Sequence, residues 1–213
     1  MARPLDQKTL ENMSATYVYF ANVSNLNIQE NMGILPENRR EKSNILTLEK
    51  DKRLSVGAYV LLAKVLKLHR IKIDDFEYKI TEDGKPFLEG CPFQFSLSHS
   101  GNYVAVALSK NPVGIDIQEM KEFDPKVLKL IANKNDQKYY DESDDKKLAF
   151  YRIWTSKESY SKFTGLGMKE SFKKIEIDYI FDTRFFSYNG LMNYEISICT
   201  TDECVNVCKE IKI

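Results

Sequence analysis

Glu158 and Lys162 place a carboxylate and an amine four positions apart, which makes them the first candidates for chemistry in this sequence. They lie in the segment 146–164, where apolar residues recur at helical spacing, so the two side chains should be neighbours one turn apart. They could act together on a shared substrate group, or they could form an ordinary surface ion pair. Such a surface pair stabilises a helix by only about 0.3–0.5 kcal/mol. The segment taken alone favours the surface pair.

Asp116 and Gln118 are the second candidates, because they interrupt a strongly apolar, β-branched stretch at 113–118. In a strand these two polar residues share one face, while Ile115 and Ile117 share the other. A buried carboxylate is costly without partners, so a buried Asp116 needs a cation, a hydrogen-bond donor or water. The alternative is an edge strand on which Asp116 faces solvent, and the segment taken alone favours that interpretation.

Ser98 and His99 end a strand-like run at a turn, where a hydroxyl and an imidazole come together. The turn separates two alternating segments and is typical of a hairpin, in which the serine can simply cap its own turn. A serine hydrolase also needs a third, orienting group and a nucleophile elbow, and the GxSxG pattern of that elbow does not occur.

Two further segments carry basic residues. Lys85 and Pro86 belong to the Gly-Lys-Pro-Phe run at 84–87, which by itself indicates only a turn with an exposed lysine. Arg53 ends a stretch, 39–53, in which basic residues are mixed with acidic ones, as on a solvated helix face. Neither segment identifies a function alone.

The elements that must hold these residues repeat along the chain with an offset of about one hundred residues. Long helical patterns run through 51–69 and 146–164. The strand-like segments, paired by the offset, are 16–23 with 113–118, 76–80 with 175–181, 93–98 with 193–199, and 103–109 with 204–211. We therefore expect an α+β fold with a pseudo-twofold duplication, in which each half packs a long helix on a small, mainly antiparallel sheet. The expected halves are 1–110 and 111–213.

Composition narrows the class of protein. The 213 residues carry 31 basic and 31 acidic side chains, so the net charge is zero and a generally basic nucleic-acid-binding surface is excluded. The four cysteines lack CxxC spacing, which argues against a structural zinc site. The chain opens without an apolar leader and its apolar stretches contain lysines, so we expect a cytoplasmic protein that does not enter the membrane.

Four motifs, taken together and in order, resemble the 4'-phosphopantetheinyl transferases, specifically their larger, internally duplicated, surfactin-synthetase-activating type. The motifs are GKPF at 84–87, FSLSHSG at 95–101, GIDIQ at 114–118 and WTSKESYSKFTGLGM at 154–168. The last is the most specific, since it combines Trp, Lys-Glu, a second Lys four residues after the Glu, and Gly-x-Gly. The resemblance extends through both halves and weakens toward both ends of the chain.

The resemblance implies that the phosphopantetheine arm of coenzyme A is transferred to a serine hydroxyl of an acyl or peptidyl carrier protein, with release of adenosine 3',5'-bisphosphate. It implies Mg²⁺ as the cofactor, held by Asp116 and Glu158 with Gln118 as a third ligand, either directly or through a water molecule. Glu158 would also accept the proton of the carrier serine, directly or through a metal-bound water, and Lys162 would stabilise or protonate the departing bisphosphate. The residues implied to bind coenzyme A are Arg53, Lys85, Pro86, Ser98, His99 and Lys162.

Two departures from the family pattern bear on these roles. Gln118 stands where many bacterial relatives have Glu, which leaves two carboxylates instead of three. Glu41 stands where a phosphate-binding lysine is expected, so that Arg40 or Lys42 would have to replace it.

The resemblance leaves rival functions open. One is a catalytically degraded protein that binds coenzyme A or a carrier without turnover, and the retained trio of Asp116, Glu158 and Lys162 argues against it. Another is a hydrolase that uses Ser98 or Ser100 with His99. Since both halves of the site come from one chain, we expect a monomer. We expect the carrier to contact apolar residues of the segment 123–140 and the long helix of the second half.

Overall fold

Segments of alternating apolar residues form strands in this protein, and segments with helical spacing form helices. The computed structural model describes residues 14–165, 167, 171–179, 184–207 and 210–213. The helices there are α1 (Ile28–Met32), α2 (Glu37–Ile45), α3 (Glu49–Leu68), α4 (Pro125–Ile131), α5 (Lys134–Glu142) and α6 (Lys146–Thr164). The strands there are β1 (Ala15–Asn22), β2 (Glu77–Ile80), β3 (Pro86–Glu89), β4 (Gln94–Ser100), β5 (Tyr103–Ser109), β6 (Val113–Glu119), β7 (Phe185–Tyr188), β8 (Tyr194–Thr200) and β9 (Cys204–Val207).

Helix α6 carries both Glu158 and Lys162, and local signals set its two ends. The side chain of Asp145 accepts the backbone N–H of Leu148 and caps the first turn. Gly165 follows the last turn with φ of 75°, a left-handed conformation that glycine adopts without strain. The predicted bounds of this helix, 146–164, are therefore confirmed.

The first sheet has the strand order β4-β5-β1-β9. β1 runs antiparallel to β5, with Tyr19 opposite Val106. β9 runs parallel to β1, with Thr16 opposite Val205. This placement differs from the expectation that 204–211 repeats 103–109 in the second half, because alternation identifies a strand but not the strand it pairs with.

The second sheet has the order β6-β8-β7, and all its neighbouring strands are antiparallel. It contains the predicted strands at 113–118 and 193–199, and Asp116 lies opposite Ser197. The strand predicted at 175–181 is wrong for residues 175–179, which form no strand, and 180 and 181 lie outside the described residues. β7 was not predicted. A separate hairpin joins β2 and β3.

The two sheets and two long helices form four layers in the order α3, first sheet, second sheet, α6. Apolar residues of α3 pack against one face of β1 and β5. The opposite face of these strands packs against the apolar face of the second sheet. This shared core includes Val18, Phe20, Ala105, Ala107, Ile115, Ile117, Ile196 and Ile198. The polar face of β6 is left for α6, which is how the site acquires its residues.

The protein is an α+β protein, as predicted. The orders β4-β5-β1 and β7-β8-β6 are equivalent, because in each the last of the three strands along the chain lies between the other two, next to the first. The pseudo-twofold duplication and the division between residues 110 and 111 remain predictions. Among the helices that the structure describes, none combines the length and apolar character that crossing a membrane requires.

Candidate active site

Asp116 is the centre of the site, and it is only 2% exposed to solvent. Its Oδ1 atom accepts a hydrogen bond from Ser98 Oγ at 2.7 Å and another from Lys162 Nζ at 2.7 Å. Its Oδ2 atom accepts one from Gln118 Nε2 at 3.1 Å. The solvent-facing alternative for Asp116 is therefore wrong, although β6 is an edge strand, because the residue is buried with the partners that a buried carboxylate requires.

Helix α6 reaches Asp116 because β6 has a glycine where the helix crosses it. An ideal Cβ atom at Gly114 would lie 1.9 Å from the carbonyl oxygen of Ser159 and 2.5 Å from the backbone nitrogen of Phe163. Only a residue without a side chain permits this approach. It brings the helix face that carries Glu158 and Lys162 against the strand face that carries Asp116.

Lys162 forms its ion pair with Asp116, at 2.7 Å between Nζ and Oδ1, and its side chain is 30% exposed. The interpretation as a surface pair with Glu158 is therefore wrong, because the tertiary fold supplies a buried carboxylate that helical spacing could not reveal. Glu158 is half-buried beside them. Burial raises the pKa of Glu158, the charge of Asp116 raises it further, and Lys162 lowers it.

A cavity of about 290 Å³ lies at the junction of the two sheets, lined by Glu158 and Lys162, and Asp116 adjoins it through its ion pair with Lys162. Glu158 and Lys162 form one wall, and Lys85 and Pro86 form another. Lys85 Nζ donates hydrogen bonds to the carbonyl oxygens of Val113, at 3.3 Å, and of Phe163, at 3.2 Å. The GKPF turn is thereby attached to the end of α6, and burial lowers the pKa of Lys85.

A second cavity, of about 340 Å³, adjoins the first and shares Pro86 and Leu97 in its wall. Its basic lining residues are Arg39, Lys42 and His99. The His99 side chain remains open to solvent, yet dehydration by the groove walls lowers its pKa, and the positive charges of Lys162 and Arg39 lower it further. Arg39 and Lys42 outnumber Asp51, the acidic residue in the same lining, so we call this second cavity the cationic pocket.

The basic residues of this pocket differ in part from those that the sequence singled out. Arg53 forms an ion pair with Glu49 on α3 and does not line either cavity. Arg39 was grouped with a solvated helix face, but its Nη2 atom bonds the carbonyl oxygen of Ser55 at 2.8 Å and the side chain faces the pocket. Lys42 and Arg40 were the two candidates to replace the missing phosphate-binding lysine. Lys42 lines the pocket, whereas Arg40 donates a hydrogen bond to the carbonyl oxygen of Leu35.

Ser98 and His99 face opposite sides of β4, since neighbouring residues of a strand alternate. The Ser98 hydroxyl donates to Asp116, and the Ser100 hydroxyl donates to Gln118 Oε1 at 3.2 Å. His99 lines the cationic pocket instead. The hydrolase alternative therefore lacks the serine–imidazole contact it requires among the residues that the structure describes.

The acidic pair fits a magnesium ion that also binds phosphate oxygens, because Mg²⁺ usually takes one or two protein carboxylates together with phosphate and water. Asp116 and Glu158 are close enough for the charge of one to raise the pKa of the other, which is the repulsion that a cation relieves. Three or more acidic, His or Cys side chains do not gather into one metal-binding group anywhere in the described ranges. The fit therefore depends on a ligand that supplies further oxygens.

Most of the chain matches two adjoining family models. Residues 112–208 match the model described as the 4'-phosphopantetheinyl transferase superfamily. Residues 22–111 match the model described as 4'-phosphopantetheinyl transferase, N-terminal. These two matches agree with the family that the four sequence motifs indicate.

Individual relatives carry the same name. The chain is 29% identical over 144 residues to 4'-phosphopantetheinyl transferase ffp of Bacillus subtilis, covering 64% of this chain and 63% of the relative. It is 32% identical over 118 residues to 4'-phosphopantetheinyl transferase gsp of Aneurinibacillus migulanus, covering 54% and 49%. A Haemophilus influenzae protein, named provisionally as a 4'-phosphopantetheinyl transferase, is 30% identical over 168 residues, covering 72% and 69%. The chain thus spans 49–69% of the lengths of these relatives.

The fold places an acidic centre, formed by Asp116 and Glu158, beside a cationic pocket. The chain belongs to the 4'-phosphopantetheinyl transferase superfamily.

Proposed function

We propose that this protein transfers the 4'-phosphopantetheine group of coenzyme A to a serine hydroxyl of an acyl or peptidyl carrier protein. The serine oxygen forms a bond to the phosphorus that carries the pantetheine arm, and the pyrophosphate bond breaks to release adenosine 3',5'-bisphosphate. The observation that carries this proposal is the ion pair of Asp116 with Lys162 beside Glu158, where Glu158 and Lys162 line a cavity next to a cationic pocket.

Asp116 and Glu158 would hold Mg²⁺, and the family resemblance implies Gln118 as a third ligand. Bound Mg²⁺ neutralises the negative charge on pyrophosphate oxygens. Asp116 suits this role because it is anchored on β6, the edge strand of the second sheet, and its donors hold it in one orientation.

Glu158 is proposed as the group that accepts the proton of the carrier serine. Its half-buried carboxylate lines the first cavity, so it is positioned to accept a proton from a hydroxyl that enters there. Lys162 places an ammonium group at the same cavity, where it can neutralise charge on the departing bisphosphate.

The cationic pocket is proposed to bind the phosphates of the nucleotide end of coenzyme A. Arg39 and Lys42 supply positive charge, and His99 supplies a ring nitrogen. Lys85 and Pro86 border the first cavity, and Pro86 also borders the second, so they would contact the ligand where it passes from one to the other. The position of Arg53 beside Glu49 favours Arg39 and Lys42 over Arg53 for the phosphate contacts.

The carrier protein is proposed to bind at the second half, as the sequence suggested for the segment 123–140. Leu130 of α4 is 73% exposed, and Lys126 and Lys129 are exposed on the same short helix. An apolar side chain with a basic rim suits an acidic carrier helix. A cytoplasmic monomer remains our expectation for the protein as a whole.

The mass of an apo carrier protein incubated with coenzyme A and Mg²⁺ tests the proposal. With the wild-type protein the carrier should gain the mass of one phosphopantetheine group, and with Asp116→Ala it should gain none. Asp144→Ala, at an exposed acidic residue of the loop before α6, is the matched control and should be as active as the wild type. Coenzyme A binding without any mass change, across acyl and peptidyl carriers, would favour the binding-protein alternative.

A further inference from the structure

Serine hydroxyls, instead of a backbone ladder, join the first sheet to the second where β4 lies beside β6. Three serines of β4 each accept a backbone N–H of β6. The pairs are Ser96 with Ile115 at 3.1 Å, Ser98 with Ile117 at 3.2 Å, and Ser100 with Glu119 at 3.0 Å. We call these three contacts the serine seam. Each seam hydroxyl keeps its own hydrogen atom, which it can donate elsewhere.

Ser98 and Ser100 donate that hydrogen toward the acidic centre. Ser98 donates directly to Asp116 Oδ1 at 2.7 Å. Ser100 donates to Gln118 Oε1 at 3.2 Å, and Gln118 Nε2 in turn donates to Asp116 Oδ2 at 3.1 Å. Both oxygens of Asp116 are therefore reached from β4, one directly and one through Gln118.

The orientation of the Gln118 amide is determined at both of its ends. A carboxylate can only accept hydrogen bonds, so the NH₂ group of Gln118 must be the end that faces Asp116. The Ser100 hydroxyl then meets the carbonyl end, and it is held in place because it also accepts the N–H of Glu119. Turning the carbonyl oxygen toward a metal at Asp116 would break both hydrogen bonds of this amide.

We propose that Gln118 is a positioning residue, oriented by Ser100, that holds Asp116 for metal binding through an N–H donor and is not itself an oxygen ligand. This inference rests on the proposed function, because the metal site belongs to that function. It replaces the third-ligand role that the family resemblance implies for this position.

The test measures Mg²⁺ binding by calorimetry on the full protein with coenzyme A and without a carrier, so that no turnover is needed. Ser100→Ala and Gln118→Leu should each weaken Mg²⁺ binding by about tenfold, as is usual for residues that orient a metal-binding carboxylate. The double variant should bind no more weakly than Gln118→Leu alone, because Ser100 acts only through Gln118. Ser100→Thr keeps the hydroxyl and should recover most of the loss.

Ser96→Ala is the matched control, since it removes a seam contact of the same kind, to Ile115, two residues away from the network. Its effects on the melting temperature and on Mg²⁺ binding should add to those of Gln118→Leu. In melting temperatures measured without metal, Ser100→Ala and Gln118→Leu should instead be non-additive, so the coupling is tested even without a ligand.

Two results would overturn the proposal. Unchanged or tighter Mg²⁺ binding by Ser100→Ala, together with a loss in Gln118→Leu, would make Gln118 a direct oxygen ligand that Ser100 only restrains. Losses in Ser96→Ala and Ser100→Ala that are equal and both additive with Gln118→Leu would reduce the serines to seam stability. Failure of the proposed function is a separate result, in which the wild-type protein binds Mg²⁺ and coenzyme A but leaves every carrier unmodified.

Discussion

Gly114→Ala should separate Glu158 and Lys162 from Asp116 without changing any of the three residues. The added Cβ atom would lie 1.9 Å from the carbonyl oxygen of Ser159, whereas ordinary contact begins near 3.4 Å. Helix α6 must therefore retreat from β6 by about 1.5 Å. The obstructing atoms are backbone atoms, so a change of side-chain rotamer cannot relieve the overlap.

The expected loss of activity follows from this displacement. A misplacement of about 1 Å between reacting groups can lower a rate by about 100-fold, so we expect kcat to fall by about that factor. Overpacking of this kind typically lowers the free energy of unfolding by about 1–3 kcal/mol. For a chain of this size each kcal/mol corresponds to about 2–4 °C in melting temperature, so the variant should remain folded at assay temperature.

The assay measures the rate of carrier modification at saturating coenzyme A, with circular dichroism and thermal melting on the same samples. Gly57→Ala is the overpacking control, because its Cβ atom would lie 2.5 Å from Val23 Cγ1, in the core under α3. It should lower the melting temperature while kcat stays near the wild-type value. Gly33→Ala meets no atom within 4 Å at an ordinary φ of −65° and should change neither quantity. Wild-type kcat and melting temperature for Gly114→Ala would refute the close approach of α6 to β6.

Three further variants test other parts of the structure. Lys157→Met should lower the free energy of unfolding, measured in urea, by about 3–5 kcal/mol, because it leaves the fully buried Asp136, 2.7 Å away, without its cation. Adding Asp136→Asn should restore part of the loss. Wild-type stability of the single variant would contradict this account. Hydrogen bonds from Ser109, Thr16 and Asn111 outweigh burial and hold the pKa of Asp202 below its ordinary value. The stability that Asp202 contributes is therefore present above the ordinary Asp pKa of about 4 and is lost as the pH falls through the lower pKa of the folded state. On acidification, the melting temperature of Asp202→Asn should fall less than that of the wild type. Parallel curves of melting temperature against pH would contradict this role of Asp202. Lys42→Ala should raise KM for coenzyme A by about tenfold or more, which is the effect of losing one charged hydrogen bond, with little change in kcat. An unchanged KM would show that Lys42 does not bind coenzyme A in the cationic pocket.

Local sequence signals predicted the elements that carry the site. Apolar residues at helical spacing predicted the bounds of α6, and in the structure a capping aspartate and Gly165 end the helix at those bounds, because caps act within one turn. The alternation around Asp116 correctly placed it on one face of a strand with Gln118. These features depend on residues close together in the chain, so a single sequence contains enough information to predict them.

Pairing over long distances was not predictable in the same way. The strand at Cys204–Val207 was expected in the second half, but it lies beside β1 in the first sheet. β-propensity predicts that a segment forms a strand, but the packing of the whole chain determines which strand it pairs with. The choice of Arg39 over Arg53 for the basic pocket likewise depends on how α2 and α3 lie against each other.

By itself the sequence determined the family, through four ordered motifs, and the identities of the acidic and basic residues that could do the chemistry. Only the tertiary structure decided which of them meet. Lys162 could pair with Glu158 along its own helix, but the fold places it on Asp116, because Gly114 lets α6 lie directly on β6. The decisive quantity is the distance between backbones far apart in the chain, and that distance is set by the packing of two sheets and two helices together.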